Sequence, residues 1–358
     1  MPSTDVTGDE PEIVFITRKW APATGGMETY SVRLTQEIAR RHPVQVISLP
    51  GRAGGMPPGV ASLLLFPFTV VRRLAARHGP ARVIHLGDLA LWPIGLLAGR
   101  RTKVVVSAHG TDVAYHRRGG LRGRLYGAYL RLGARLLGRA RLVANSHATA
   151  QVAAETGWRT HCVIPLAADP VEAGKAEGHE SFILFAGRLV ARKGCGWFVR
   201  EVLPSLPEGI QLRIAGTVWD ESERAALDDE RVEFLGPQEP AALARLYRAA
   251  LCVIVPNIDL PNGEYEGFGL VAPEAASAGG LVLAAASGGL TDAVIDGETG
   301  FLLPSGDAEA WATRINDVAA WPSDKRQAFT EKAQALSREV YSWDRVAEET
   351  VAVYFDRG

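Results

Sequence analysis

The chain has 358 residues, of which 47% are hydrophobic, 22% charged and 8% aromatic. This is the composition of an ordinary folded protein of about two domains, and it excludes a disordered chain, a coiled coil and a collagen-like repeat. The net charge of −1 hides an asymmetry: residues 1–142 hold 21 Lys and Arg against 8 Asp and Glu, a net +13, and residues 143–358 hold 18 against 32, a net −14. The excess lies in residues 71–142, with 15 basic and 2 acidic side chains. A split of this size implies that one half faces something anionic: a membrane surface, nucleic acid, or the other half of the chain.

Three scattered cysteines, Cys162, Cys195 and Cys252, give neither a disulfide framework nor a zinc site and suit a reducing cytoplasm. Residues 1–10 are polar and do not read as a signal peptide. The longest apolar run, residues 60–71, is 12 residues long, contains Pro67, and is too short to cross a bilayer.

In chain order, apolar and β-branched runs predict strands over residues 12–17, 44–49, 82–86, 103–108, 142–145 and 162–165 in the first half. In the second half they fall over 182–186, 212–215, 232–235, 252–255, 281–284 and 301–303. Helical periodicity fills most of the gaps. The alternation predicts two α/β units, each a doubly wound, Rossmann-like parallel sheet covered by helices, facing a cleft. Residues 167–180, rich in Ala, Gly, Pro and charge, read as the linker. The expected domains are therefore 1–170 and 171–340, followed by a C-terminal helix over 341–358 with apolar Val346, Val351 and Val353, which either crosses back to the first domain or packs within the second.

In such folds ligands sit at the carboxyl ends of the strands, so the residues after each strand carry the chemistry. After the first strand, Gly25 and Gly26 precede a helix start, where backbone amides can approach an anion; a plain turn fits equally well. After the strand at 103–108 comes His109-Gly110-Thr111-Asp112, a mouth that could hold a polar ligand or a loop with a capping Asp112. After the strand at 182–186, Arg188, Arg192 and Lys193 precede a helix in an otherwise acidic half. Arg188 and Lys193 could clamp a diphosphate. The most specific segment is residues 264–276. Its Glu266 lies in a glycine-rich loop before a helix, and its Glu274 lies in that helix's first turn, where the dipole is expected to hold it charged. The two carboxylates, with the loop amides, suit sugar and ribose hydroxyls. Residues 287–290 give another glycine-rich turn.

These pieces, in this order, resemble glycosyltransferase family 4, the retaining group with the GT-B fold. The resemblance covers residues 13 to about 354 and rests on GRLVARKG (187–194), EGFGLVAPEA (266–275) and ASGGLTDAVIDGETGFLLPSGD (286–307), with TGGMETY (24–30), HGTD (109–112) and ANSHAT (144–149) in the first half. It implies that Arg188 and Lys193 hold the donor diphosphate and offset leaving-group charge. Gly25 and Gly26 would sit against the phosphates or the acceptor. Glu266 would bind the donor sugar with the amides of Gly267, Phe268 and Gly269 and the adjoining Leu270, and Glu274 would hold the ribose diol. His109 would lie near the transferred sugar, with Asp112 in the same site, and residues 234–236 would line the base. It further implies front-face retention without a protein nucleophile, in which positioning and charge stabilisation do the work.

There is no Asp-x-Asp and no metal-ligand spacing, so no metal or cofactor is expected, only a UDP- or GDP-sugar donor. Two positions depart from the family pattern: Pro165–Asp169 replaces an Asn-Gly turn, and the loop over 257–263 is long. The expected activity is metal-independent hexosyl transfer to a glycan or lipid-linked acceptor, in the cytoplasm or peripherally at the inner face of the membrane. The alternatives are a sugar-nucleotide epimerase on the same fold and a non-catalytic binding subunit.

Residues 121–139 read as a helix with Leu121, Leu125, Tyr129, Leu132 and Leu136 on one face and Arg124, Arg131 and Arg135 on its flank. Such a helix either lies on an anionic membrane or turns its leucines to the core. With no aromatic stacking platform among the arginines, nucleic acid is not expected as a partner.

Overall fold

The computed structural model describes residues 12–23, 25–52, 55–169, 179–261 and 263–356. The polar residues 1–10, most of the expected linker and the boundary at 170/171 lie outside the described residues. The first half contains β1 (Ile13–Trp20), α1 (Gly26–Ala39), β2 (Val44–Pro50), α2 (Val60–Ala75), β3 (Val83–Leu86), β4 (Lys103–Ala108), α3 (Thr111–Ala114), α4 (Gly120–Leu136), β5 (Arg141–Ala144), α5 (His147–Ala154) and β6 (Thr160–Val163). The second contains β7 (Phe182–Leu189), α6 (Cys195–Trp197), β8 (Gln211–Val218), β9 (Val232–Gly236), α7 (Pro240–Ala249), β10 (Cys252–Val255), α8 (Val271–Ser277), β11 (Val282–Ala285), α9 (Leu290–Ala293), β12 (Phe301–Leu303), α10 (Ala308–Ala319), α11 (Ser323–Val340) and α12 (Trp343–Phe355).

Each half is one six-stranded sheet, in the order β2-β1-β3-β4-β5-β6 and β12-β11-β10-β7-β8-β9. All the strand pairings are parallel. Because helices cover both faces, the central strands are apolar on both sides; all four residues of β3, β10 and β11 are buried. All twelve expected strands form, with ends shifted by a few residues. The strand order reverses between β1 and β3 in the first sheet and between β7 and β10 in the second, with β4 one strand beyond β3; ligands bind at such switch points.

The last helix, α12, packs on α1 and reaches β4 of the first sheet. Arg41 of the first half pairs with Asp344 and Glu348 at 2.8 and 2.7 Å. The Tyr354 hydroxyl lies 2.5 Å from His85 Nδ1. Helix α4 departs from a core-facing reading: its buried residues are Gly123, Gly127, Leu130 and Gly133, while Leu121, Leu125, Leu132 and Leu136 are exposed. A Cβ on Gly133 would lie 2.8 Å from Trp92 and 2.9 Å from Trp158, so the two indoles fill the space a side chain would take. The glycines let the helix approach closely and leave the leucines outside.

Candidate active site

The mouth of β4 is set by one carboxylate. Asp112 Oδ1 accepts the amides of His109 and Gly110 at 3.0 and 2.9 Å, and Oδ2 accepts the amide of Leu89 at 3.0 Å. Asp112 is thus spent on the turn. Both of its oxygens have backbone partners, which positions the turn. The turn needs Gly110, whose φ of +143° side chains rarely adopt. His109 is buried, and its Nε2 lies 3.2 Å from the Gly87 carbonyl. A carbonyl only accepts, so Nε2 carries the proton, and Nδ1 is left without a partner. Burial lowers the His109 pKa, against the pull of Asp112 and Asp88, and favours the neutral ring. Its ring stands edge-on to Tyr30 at 4.4 Å.

Gly25 caps α1 with no side-chain hydrogen bond, so the helix start is open. A Cβ on Gly26 would touch the Leu270 side chain at 3.4 Å, which sets α1 directly against the second half.

In the second half, Lys193 ends a short 3-10 turn after β7, and its Nζ lies 2.5 Å from Glu266 Oε2. Asn257 Nδ2 donates to the same oxygen at 3.1 Å. Burial would raise the Glu266 pKa, but Lys193, Arg192 and the two hydrogen bonds overcome it and hold it down at about 2. Arg188 is exposed at the tip of β7, with its guanidinium over the Trp219 ring at 4.8 Å. Trp219 and Arg192 join Arg188 in lining a cleft cavity of about 280 Å³, whose other wall includes Gly110, Tyr115, Arg117 and Arg118.

The loop after Glu266 is shaped by glycines from two segments. Gly289 N donates to Glu266 O at 2.8 Å, and a Cβ on Gly288 would lie 2.7 Å from that same carbonyl. Gly269 has φ +90°. The amides of Gly267, Phe268 and Gly269 donate to no protein acceptor among the described residues. The Phe268 side chain is buried against Tyr341. The same loop docks on the first half: Ser146 Oγ donates to Gly267 O at 2.7 Å, and Thr149 Oγ1 lies 3.1 Å from the Tyr265 hydroxyl.

Glu274 sits in the first turn of α8, but the expected stabilisation of its charge by the dipole is overruled. Burial, with the neighbouring Asp169 carboxylate, raises its pKa to about 7, against the pull of Lys193. A seven-residue helix cannot offset that desolvation. The Phe234–Gly236 stretch forms the end of β9, an edge strand.

Arg188, Lys193 and Glu266 thus share one end of the second sheet, and His109, Gly110 and Gly267 share one contact between the halves. Asn257, Ser146, Thr149 and Tyr265 were not expected at the site. Ser146 and Thr149 stand three apart at a helix cap, a readable signal, but nothing local points Asn257 toward Glu266. Among the described residues no group of three His, Cys, Asp or Glu is placed to hold a metal ion.

The protein is similar to known chains over both halves. The family model described as Glycosyltransferase Family 4 matches residues 24–171, and that described as Glycosyl transferases group 1 matches residues 180–320. A D-inositol 3-phosphate glycosyltransferase of Actinosynnema mirum is 42% identical over 123 residues, which is 34% of this chain and 28% of the relative. One of Mycobacterium ulcerans is 33% identical over 185 residues, 49% of this chain and 38% of the relative. The chain spans less than half the length of these relatives. Among solved structures, sucrose-phosphate synthase from Thermosynechococcus elongatus superposes with a TM-score of 0.75 at 20% identity, over 96% of this chain and 98% of that one. Anabaena HepE in complex with UDP-glucose gives 0.72 at 19%, over 95% and 98%. These show the fold, two facing Rossmann-like domains of the GT-B type. With one family model on each half, the chain belongs to the group 1, family 4 glycosyltransferases.

Proposed function

We propose that the protein is a retaining, metal-independent glycosyltransferase that moves a hexosyl group from a nucleoside diphosphate sugar to a glycan or lipid-linked acceptor. The observation that carries this reading is the Glu266 loop. It combines a carboxylate held by Lys193 and Asn257 with three consecutive amides, at Gly267, Phe268 and Gly269, that have no protein acceptor among the described residues. Such a loop can accept from sugar hydroxyls at Glu266 and donate to an anionic group through its backbone.

In this reading Arg188 and Lys193 bind the donor diphosphate, and their charge offsets what builds on the departing phosphate. Arg188 swings from its stack on Trp219 to do so. Lys193 keeps contact with Glu266, which couples the sugar to the leaving group. The departing phosphate takes the acceptor proton, so no protein base is required. His109, neutral with an unpartnered Nδ1, lies beside the transferred sugar, Glu274 and the ribose diol pair, and the open start of α1 at Gly25 and Gly26 faces the phosphates or acceptor. The setting is cell-envelope polysaccharide or glycolipid assembly, with the enzyme in the cytoplasm, peripheral to the membrane's inner face.

The test is release of nucleoside diphosphate from a panel of UDP- and GDP-sugars in excess chelator, with analysis of the product anomer. Release from one donor that is lost in Lys193→Ala and Glu274→Ala, with the anomeric configuration kept, is the expected result. A new sugar nucleotide formed without any acceptor would sink the reading in favour of an epimerase. The absence of any donor-induced rise in Tm would favour a non-catalytic subunit.

A further inference from the structure

Fourteen large hydrophobic side chains are exposed among the described residues, and eleven of them lie on three segments of the first half. Helix α2 has 16 residues, and only Phe66 and Val70 are buried. Val60, Leu64, Leu65 and Phe68 are 62–75% exposed, and no charge occurs before Arg72. The 3-10 segment Leu89–Leu97 packs against both α2 and α4 and adds exposed Leu96 and Leu97. Helix α4 adds its outward leucines, forced outside by the glycine face that meets Trp92 and Trp158.

All three segments pack on one face of the first sheet, over the core that holds Val14 and Ile16. Helix α1, together with α12, contributes to the other core, which holds Ile13 and Phe15. The exposed side chains therefore lie on one side of the first domain, away from the α1–α12 face. An apolar surface of this extent marks a docking site.

The charge around it selects the occupant. Arg72 and Arg73 end α2, and Arg122, Arg124, Arg131 and Arg135 stand exposed along α4. Among the described residues none of these six has an acidic partner. The only carboxylates within residues 71–142 are Asp88 and Asp112, both buried. A second copy seated on this surface would bring arginines against arginines. Anionic headgroups complement them, while leucine and phenylalanine side chains enter the acyl boundary. Among the described residues no helix is long and apolar enough to cross a membrane, so α2 would lie in the interface plane.

We propose that α2, the Leu89–Leu97 segment and α4 form a surface that docks the protein on an anionic lipid bilayer. The inference rests on the peripheral placement proposed above and names the surface that carries it; vesicle binding tests it without any donor or acceptor.

The test is co-sedimentation of the full chain with vesicles of phosphatidylcholine alone and of phosphatidylcholine with phosphatidylglycerol. The wild type should bind the anionic vesicles at least about tenfold more tightly, and added salt should weaken it. Leu64→Glu/Phe68→Glu should lose binding at least about tenfold with an unchanged melting curve, since both positions are exposed. Arg124→Gln/Arg131→Gln should lose mainly the preference for anionic vesicles. The proposal is overturned if the wild type ignores anionic vesicles or if Leu64→Glu/Phe68→Glu binds them as well as the wild type. It is also overturned if sedimentation velocity shows a dimer that Leu64→Glu/Phe68→Glu dissolves while vesicles are not bound, which would assign the surface to a second copy.

Discussion

Gly267 and His109 meet where the two halves of the chain close: a Cβ on Gly267 would overlap the His109 carbonyl oxygen. That oxygen is also held by Asn145 Nδ2 at 2.9 Å, so it cannot easily yield. A Gly267→Ala variant must therefore part the halves at the place where Ser146 and Thr149 grip the loop. Displacing reacting groups by about 1 Å costs on the order of a hundredfold in rate. The expected outcome is a fall of that order in kcat/KM with the donor still bound, measured by kinetics alongside donor titration. Wild-type kcat/KM in Gly267→Ala would refute the closed arrangement as the working one.

The Lys193–Glu266 pair gives a second prediction. The side chains are 11% and 14% exposed, so removing one charge leaves the other half-stranded. Glu266→Gln should lower stability by about 3–5 kcal/mol, the cost of breaking a buried pair. A Lys193→Gln/Glu266→Gln double variant should regain much of that loss, while both variants stay inactive. The depressed Glu266 pKa also fixes an acid limit. Its stabilisation is present above the ordinary carboxylate pKa of 4.5 and is lost as pH falls toward about 2. Thermal melts from pH 5 to 2 should fall more steeply for the wild type than for Glu266→Gln.

The strands were readable because a parallel sheet covered on both faces needs short, nearly continuous apolar runs, as at residues 252–255 and 282–285. Arg188 and Lys193 were readable as cations at a strand tip. The orientation of α4 was not. A helical wheel separates leucines from glycines, but it takes Trp92 and Trp158, packed against Gly133, to show which face is inside. The state of Glu274 was equally hidden. Its helix position is local, while the Asp169 that helps raise its pKa lies 105 residues earlier in the chain.

Glu274 leads to a proton-release prediction. With its pKa raised to about 7, the folded apoprotein holds a proton there that an unfolded carboxyl would release near 4.5. The destabilisation is therefore absent below pH 4.5 and grows to its full size by about pH 7. If a ribose diol donates two hydrogen bonds to this group, binding favours the carboxylate and expels the proton. Titration calorimetry at pH 6 in buffers of different ionisation enthalpy should show proton release on donor binding in the wild type and none in Glu274→Gln. Equal proton uptake or release in both would separate Glu274 from the ribose.

The last helix is tied to the first sheet through a buried chain of polar groups. The Tyr30 hydroxyl lies 2.7 Å from Ser107 Oγ, Ser107 lies 2.7 Å from His85 Nε2, and His85 Nδ1 lies 2.5 Å from the Tyr354 hydroxyl. Every member is buried, and burial, with His109 nearby, lowers the His85 pKa to about 3. His85 thus stays neutral in the folded protein and charges when unfolded below pH 6.5. Its contribution is complete above pH 6.5 and is lost as pH falls toward about 3. Tyr354→Phe keeps the ring but leaves His85 Nδ1 unpaired, at a cost of about 1–3 kcal/mol. The variant should melt several degrees lower at pH 7.5, and hydrogen exchange should quicken in α12 before it does in β3. His85→Gln should flatten the loss of Tm between pH 6.5 and 4 that the wild type shows. If Tyr354→Phe melted like the wild type and α12 exchanged no faster, the hydrogen-bonded chain would not be what fastens the final helix, and the Arg41 pairs with Asp344 and Glu348 would have to hold it instead.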